Sequence, residues 1–245
     1  VPLSDLVSVI MSTVDPLQDR TQRAIAHLAR STASYELILL SRNHEWTTGT
    51  IANQGIAASV GGYVAFCCDD CFVEPGALAA MKAALQDRTV GVAGALLLYP
   101  NGLVQHAGGW LTWSSAMGGE AIRLNLGHVG QHMPEPSKPF ESRDVPFVTG
   151  ALMMTRRDVF EQVGWYDPDC KLDAGDLDFC LRVRQAGYSV RFVAEARAVH
   201  LEGATRGSRP SDRKWFFGKW GMTLASPLTA LAEPEDDFVL VGGSQ

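Results

Sequence analysis

Four short apolar runs, each followed by a segment with a different periodicity, constrain the fold of the first hundred residues more than any other feature. "LVSVIM" (Leu6–Met11), "YELILL" (Tyr35–Leu40), "YVAFC" (Tyr63–Cys67) and "VGVAGALLLY" (Val90–Tyr99) are rich in β-branched and aliphatic residues, and their lengths suit strands. Between the first two, "TQRAIAHLAR" sets Ala24, Ile25, Leu28 and Ala29 on one helical face. "IANQGIAASVGG" reads as a helix ending at a glycine pair, and "PGALAAMKAALQD" as an amphipathic helix with Pro75 near its start. Strand and helix in strict alternation predict an α/β protein, a mostly parallel central sheet flanked by helices on both faces. The first half is therefore Rossmann-like.

From about Gly108 to Ser142 the periodicity fades into Gly, Trp, Ser, His and Pro, which predicts long loops. Order returns with "VPFVTGALMMTRRDVFEQVGWYD", a strand leading into a short helix. "GDLDFCLRVRQAG" is a second helix closed by Gly187, and "YSVRFVAEARAVH" reads as a final strand pair. Beyond Ser211 come Trp215, Phe216, Phe217 and Trp220, then an acidic "EPEDD".

The 245 residues are 46% hydrophobic and 20% charged, enough for a sizeable core in one domain. A net charge of −6 argues against a nucleic-acid-binding body, which needs a basic face. No apolar run is long enough to span a bilayer and none reads as a signal peptide. Five cysteines, an odd number without framework spacing, point to reduced thiols. The expectation is a cytoplasmic protein, with peripheral attachment at the inner face of the membrane compatible with the composition.

The chemistry gathers around "CCDDC", where Cys67, Cys68 and Cys71 surround Asp69 and Asp70 at the carboxyl end of a predicted parallel strand. Open α/β sheets bind ligands at such ends. Structural zinc sites want spaced pairs of cysteines, and Cys170 and Cys180 do not supply the second pair. The cysteines therefore read as packing, and the carboxylates as the group able to meet a hard cation. Two adjacent acids on a strand point to opposite faces, so one ion meets both only if the strand ends there. Asp178 and Arg182, four apart on a helix, read as a structural ion pair.

Further along, Arg156-Arg157, Val159-Phe160, Gly164 to Asp167, Asp176, Asp178, Leu181-Arg182, Gly187-Tyr188 and His200 occur in that order. With "VSVIMSTVD", "NQGIAASVGGYVAFCCDD", "GALLLYPNGLVQHAGG" and "WFFGKWG", this series resembles the inverting GT-A glycosyltransferases of family two, especially the bacterial polysaccharide-type members. The resemblance spans nearly the whole chain. It implies a single GT-A domain over residues 1–245, with a nucleotide-sugar-binding half (1–109), an acceptor-binding half (110–210) and a C-terminal extension (211–245).

Residue by residue, the resemblance implies that Asp70 and His200 ligate a divalent cation, manganese or magnesium, and that Asp69 contacts the donor ribose or the metal's water shell. Asp176 takes the place of the catalytic base. Thr13 and Asp15, with Ser41 at the end of the second strand, fall where relatives hold the nucleobase, and Asn53 falls on the donor side. The implied partners are a nucleotide-sugar donor and a glycan or lipid-linked glycan acceptor. General physical chemistry agrees with these roles: a cation with oxygen ligands offsets the charge of a departing diphosphate, and a carboxylate opening a helix lies in a favourable dipole. An N-cap is the structural alternative for Asp176.

Three positions depart from the pattern. Cys68 stands where many relatives carry a further acid or Asn, Gly175 where a Glu precedes the base, and "LLSRN" where the second strand usually ends in an acid. A non-catalytic nucleotide-sugar or glycan-binding domain with the same fold is the alternative that Gly175 and Ser41 support. A sugar nucleotidyltransferase would need a Gly-rich basic loop after its first strand, and "STVDPLQDR" is not one.

Overall fold

The computed structural model describes residues 2–41, 47–115, 122–171, 174–201, 212, 215–216 and 218–220. After a single turn at Leu3–Asp5 the elements run β1 (Val7–Thr13), α1 (Asp19–Leu28), β2 (Tyr35–Ser41), α2 (Thr48–Ala58), β3 (Tyr63–Cys67), β4 (Cys71–Val73), α3 (Ala77–Ala84) and β5 (Val90–Leu98). There follow β6 (Val104–His106), β7 (Gly109–Ser115), β8 (Ile122–His128), β9 (Arg143–Asp144), β10 (Leu152–Arg156), α4 (Arg157–Val163), α5 (Gly175–Gln185) and β11 (Ser189–His200). The main sheet has the order β2-β1-β3-β10-β5-β11-β4, with β6 beside β5 and β9 beside β11.

Strands β3, β5 and β10 are buried along their full length. That is why β3 and β5 read as unbroken apolar runs: helices or loops cover both faces of the sheet. Side chains alternate between two cores. Ile10, Phe66, Val92, Leu96 and Met153 face one core, with Ile56, Phe160 and Phe179. Val9, Met11, Ala65, Ala93, Leu97 and Met154 face the other, with Leu28, Leu78 and Met81. In α1 the stripe is narrower than expected: Ala24 and Leu28 are fully buried and Ile25 partly so, whereas Ala29 caps the helix and is exposed. The N-terminus of α2 is closed by a reciprocal cap between Thr47 and Thr50. Gly55 lets α2 lie directly on β1, because a Cβ there would sit 2.3 Å from Ile10 Cγ2.

The structure differs from the sequence expectation at four points. First, β10 enters the mostly parallel sheet antiparallel, between β3 and β5 and paired to both. Second, the segment after Gly108 is not all loop. It contains the antiparallel β7–β8 ribbon, paired from Gly109 with His128 to Ser115 with Ile122, and β8 carries the alternation Ile122, Leu124, Leu126 that marks a strand. Third, "YSVRFVAEARAVH" is one long strand. Its register shifts against β5 let it bend and continue, so its far end also pairs with β4. Fourth, the N-cap of α5 is Ala174, and Asp176 lies inside the first turn.

The expected Asp178–Arg182 pair is present, at 3.0 Å. Trp220 and Lys219 also reach the Asp178 carboxylate, each at 2.9 Å, which ties this part of the C-terminal segment to α5. Most of the expected 211–245 extension, including Phe217 and the acidic "EPEDD", lies outside the described residues. The arginine pair belongs to the scaffold. Arg156 donates to the carbonyls of Leu85 and Val90, and Arg157 to the carbonyl of Gly61 and the hydroxyl of Ser59. No helix among the described residues is long and apolar enough to cross a membrane.

The pairing directions decide where a site can form. Strands β1 and β3 are parallel, β10 is antiparallel to both β3 and β5, and β11 is parallel to β5. The carboxyl ends of β1, β3, β5 and β11 therefore share one edge of the sheet, and Thr13, Cys67 and His200 end their strands there.

Candidate metal and donor site

At that edge β3 stops at Cys67, and the next four residues make a tight turn closed by the Cys71 N–H donating to the Cys68 carbonyl at 3.1 Å. The turn frees Asp69 and Asp70 from strand alternation and sends them to different partners. Asp69 faces the segment after β1: its Oδ2 accepts from Gln18 Nε2 and from the Thr21 hydroxyl, both at 3.3 Å, with Arg20 Nε at 3.7 Å. Asp70 faces β11, where its Oδ1 lies 3.1 Å from His200 Nε2.

Both acids are nearly fully buried. Burial pulls the Asp70 carboxyl upward, but the His200 hydrogen bond and the charges of His200 and Arg20 outweigh it and hold the carboxyl below its usual value. His200 is oriented from its other side, where Nδ1 lies 2.7 Å from Gln105 Oε1. The amide of the same glutamine reaches back to the His200 carbonyl at 3.4 Å. A carbonyl oxygen only accepts, so Nδ1 carries the proton of that bond and Nε2 is the nitrogen presented to Asp70.

Thr13 and Asp15 join the Asp69 side. The Thr13 hydroxyl accepts from the Asp15 N–H and Gln18 Nε2 and lies 3.0 Å from the Thr21 hydroxyl. Ser41 pairs with Thr13 across β1 and β2 and is exposed on the same edge. Asn53 is elsewhere: both ends of its amide are engaged by the backbone of Tyr166, at 2.8 and 2.9 Å. Its observed task is to hold the Tyr166 loop. The Tyr166 ring stacks on Phe179, and its hydroxyl is pushed well above the ordinary value by burial and by the nearby Asp176 charge.

Asp176 is linked to the same edge through β10. Its Oδ2 accepts the Gly150 N–H at 2.7 Å and its Oδ1 the Leu177 N–H at 2.8 Å. The next residue after Gly150, Ala151, accepts the Cys68 N–H at 3.0 Å. One short backbone segment thus separates the half-buried Asp176 from the acidic turn. Gly175 also has a packing explanation: a Cβ there would meet the Tyr166 ring at 3.0 Å and Cys170 Sγ at 3.2 Å, so a longer side chain needs that ring to move.

All five cysteines are free thiols. Cys67, Cys71, Cys170 and Cys180 are buried, as the packing reading expects. The Cys71 thiol is pushed far up by its contact with Cys67 and by burial, and that of Cys180 up to about 12 by burial. Cys68 is different. It is half-buried, and its Sγ, an Asp70 oxygen and a His200 ring nitrogen all lie within 4.8 Å of one another.

Ligand bonds of about 2.0–2.3 Å place neighbouring donors roughly 3–4 Å apart, a range the Asp70–His200 spacing meets and one that the thiol, within 4.8 Å of both, lies close to. The donor set fits a divalent ion, and the 3.1 Å spacing of Asp70 and His200 is that of adjacent ligands. Sequence reasoning missed Gln105, Gln18 and the position of Cys68. Only the stretch "GLVQHAGG" singled out Gln105 at all, and nothing in it points to His200.

A family model described as "Glycosyltransferase like family 2" matches residues 4–216. Over 164 residues the chain is 33% identical to the uncharacterized protein y4gI of Sinorhizobium fredii (strain NBRC 101917 / NGR234), covering 66% of this chain and 18% of that protein. Over 175 residues it is 30% identical to the O-antigen biosynthesis protein RfbC of Myxococcus xanthus, covering 69% of this chain and 13% of that protein. The chain thus spans less than a fifth of the length of these curated relatives.

Two solved structures share the fold. GalNAc-T7 with UDP, GalNAc and Mn2+ superposes with a TM-score of 0.60 at 15% identity, covering 86% of this chain and 46% of that one. The mannosyltransferase PcManGT from Pyrobaculum calidifontis, in complex with GDP-Man and Mn2+, gives 0.54 at 13% identity, covering 81% and 57%.

Proposed function

The chain belongs to glycosyltransferase family 2, and from that membership we propose that it transfers a sugar from a nucleotide-sugar donor to a hydroxyl of a glycan or lipid-linked glycan acceptor, with inversion and with a divalent cation, manganese or magnesium. The observation that carries the reading is the acidic turn after β3, where Asp70 meets His200 while Asp176 is tied to the same edge through Gly150.

In this reading residues 1–109 bind the donor and residues 110–210 the acceptor, with the rest as an extension. Thr13, Asp15 and Ser41 border the nucleobase, and Asp69, held by Gln18 and Thr21, faces the ribose. Asp70 and His200 hold the cation, which when bound supplies positive charge to the diphosphate oxygens of the leaving group. Asp176 takes the proton of the acceptor hydroxyl. As that O–H bond breaks, the acceptor oxygen forms the new bond to the anomeric carbon from the face opposite the diphosphate. The old C–O bond breaks with its electron pair going to the diphosphate, which inverts the anomeric centre. Two backbone N–H donors fix the orientation of Asp176, as a base acting on a placed hydroxyl requires. Asn53 contributes by holding the Tyr166 loop.

The test is calorimetric titration with UDP and with GDP, in Mn2+ and after EDTA, for the parent chain and Asp70→Ala, alongside sugar transfer from UDP- and GDP-sugars. Metal-strengthened nucleotide binding that Asp70→Ala abolishes is expected. Equal nucleotide affinity with and without metal in folded protein overturns the metal assignment. Metal-dependent binding with no transfer or donor hydrolysis across the panel favours a binding domain.

A further inference from the structure

The turn after β3 presents a donor that composition assigns to packing. Cys68 and Asp70 flank Asp69, and while Asp69 turns toward α1, the Cys68 thiol lies with the Asp70 carboxylate and the His200 imidazole, all within 4.8 Å. The turn that carries Cys68 is fixed on both sides. Its N–H donates to the Ala151 carbonyl and its carbonyl accepts the Cys71 N–H. His200 is equally constrained through Gln105. Cys68 is also the one thiol of the five that is not fully buried, although it packs against the edge of one core.

We propose that Cys68 is a third protein ligand of the cation, making a sulfur–oxygen–nitrogen set that prefers the zinc and cobalt class over magnesium. This rests on the reading that Asp70 and His200 hold a divalent ion. Thiolate sulfur is a soft donor, well matched to these transition metals and poorly matched to magnesium, which favours oxygen ligands and keeps its water. Three protein donors leave further coordination positions for diphosphate oxygens, as an open working site needs. The metal preference therefore differs from what Asp70 and His200 alone would produce.

The experiment is titration of the 245-residue chain with Co2+, read by absorption, with Cys68→Ser, Cys68→Asp and Asp70→Ala in parallel. Bound cobalt should show sulfur-to-metal charge-transfer absorption in the near ultraviolet, absent in Cys68→Ser. Competition should show the cobalt-over-magnesium preference falling by about tenfold or more in Cys68→Asp, whose added ligand is a hard oxygen. Cobalt bound without that absorption in the parent chain, yet lost in Asp70→Ala, overturns the sulfur ligand and leaves the metal site standing. The absorption persisting in Cys68→Ser also overturns it. No cobalt binding by folded protein overturns both.

Discussion

Gln105 and His200 lie 95 residues apart in the chain, and the glutamine Oε1 meets the imidazole Nδ1 at 2.7 Å while Nε2 faces Asp70. An imidazole held at one nitrogen presents the other in a defined direction, which raises the affinity of a histidine for metal. Gln105→Leu removes the acceptor at nearly constant volume, and Mn2+ affinity measured by calorimetry should fall by roughly 10–100-fold. Gln105→Glu keeps an acceptor and should retain most of it. Unchanged affinity in Gln105→Leu would remove the glutamine from the site.

Asp176→Asn tests the proposed base. One carboxamide oxygen cannot accept from both the Gly150 and Leu177 N–H groups, so one of them loses its partner. The expected stability cost is about 1 kcal/mol in urea unfolding. UDP or GDP binding in Mn2+ should survive, while sugar transfer should fall by roughly a hundredfold or more, the scale of a lost general base. Transfer at the parent rate by the folded variant would show that Asp176 is not the base.

His106 predicts a pH dependence of stability. It is fully buried, neither ring nitrogen has a hydrogen-bond partner among the described residues, and its ring packs edge-on against His128 at 4.6 Å. Burial, with the nearby His128 and Arg143 charges, holds it well below the ordinary histidine value. The unfolded chain therefore binds a proton at mildly acidic pH that the folded chain refuses. This contribution to stability is fully present above about pH 6.5 and is lost as pH falls below it, at up to about 1.4 kcal/mol per pH unit. His106→Leu should flatten the difference between urea unfolding at pH 7.5 and 5.5. An equal drop in parent and variant would contradict the assignment.

Asp178 is a buried carboxylate shared by Arg182, Lys219 and Trp220. Asp178→Ala leaves Arg182 without its carboxylate, while Lys219 keeps Asp167 at 2.7 Å, and should cost about 3 kcal/mol in chemical denaturation. The Trp220 fluorescence environment should change with it, because its indole N–H loses its acceptor. A variant as stable as the parent would mean that the C-terminal attachment carries no stability.

The strands of the first half were legible because a strand buried on both faces leaves a local mark, an unbroken apolar run such as "YVAFC" or "VGVAGALLLY". The helices were legible from their own spacing, and the family was legible from the order of short motifs. The sequence also brought Asp70, His200 and Asp176 forward as candidates. It did not show that β10 enters antiparallel between β3 and β5, because that pairing joins Leu152 to Cys67 and Met153 to Gly94 without any local signal.

The β7–β8 ribbon was missed for a related reason: β8 carries the alternation Ile122, Leu124, Leu126, but β7, "GWLTWSS", does not repeat it, and only the backbone pairing joins the two. Asn53 shows the same limit for a single side chain, since its motif suggests the donor while both ends of its amide bind Tyr166, 113 residues away. What the sequence by itself determined was the alternating strands and helices of the first half and the candidate acids. Only the tertiary structure decided which side chains share the edge of the sheet, because a turn after β3 sends Asp69 and Asp70 to different partners and places a thiol beside the second.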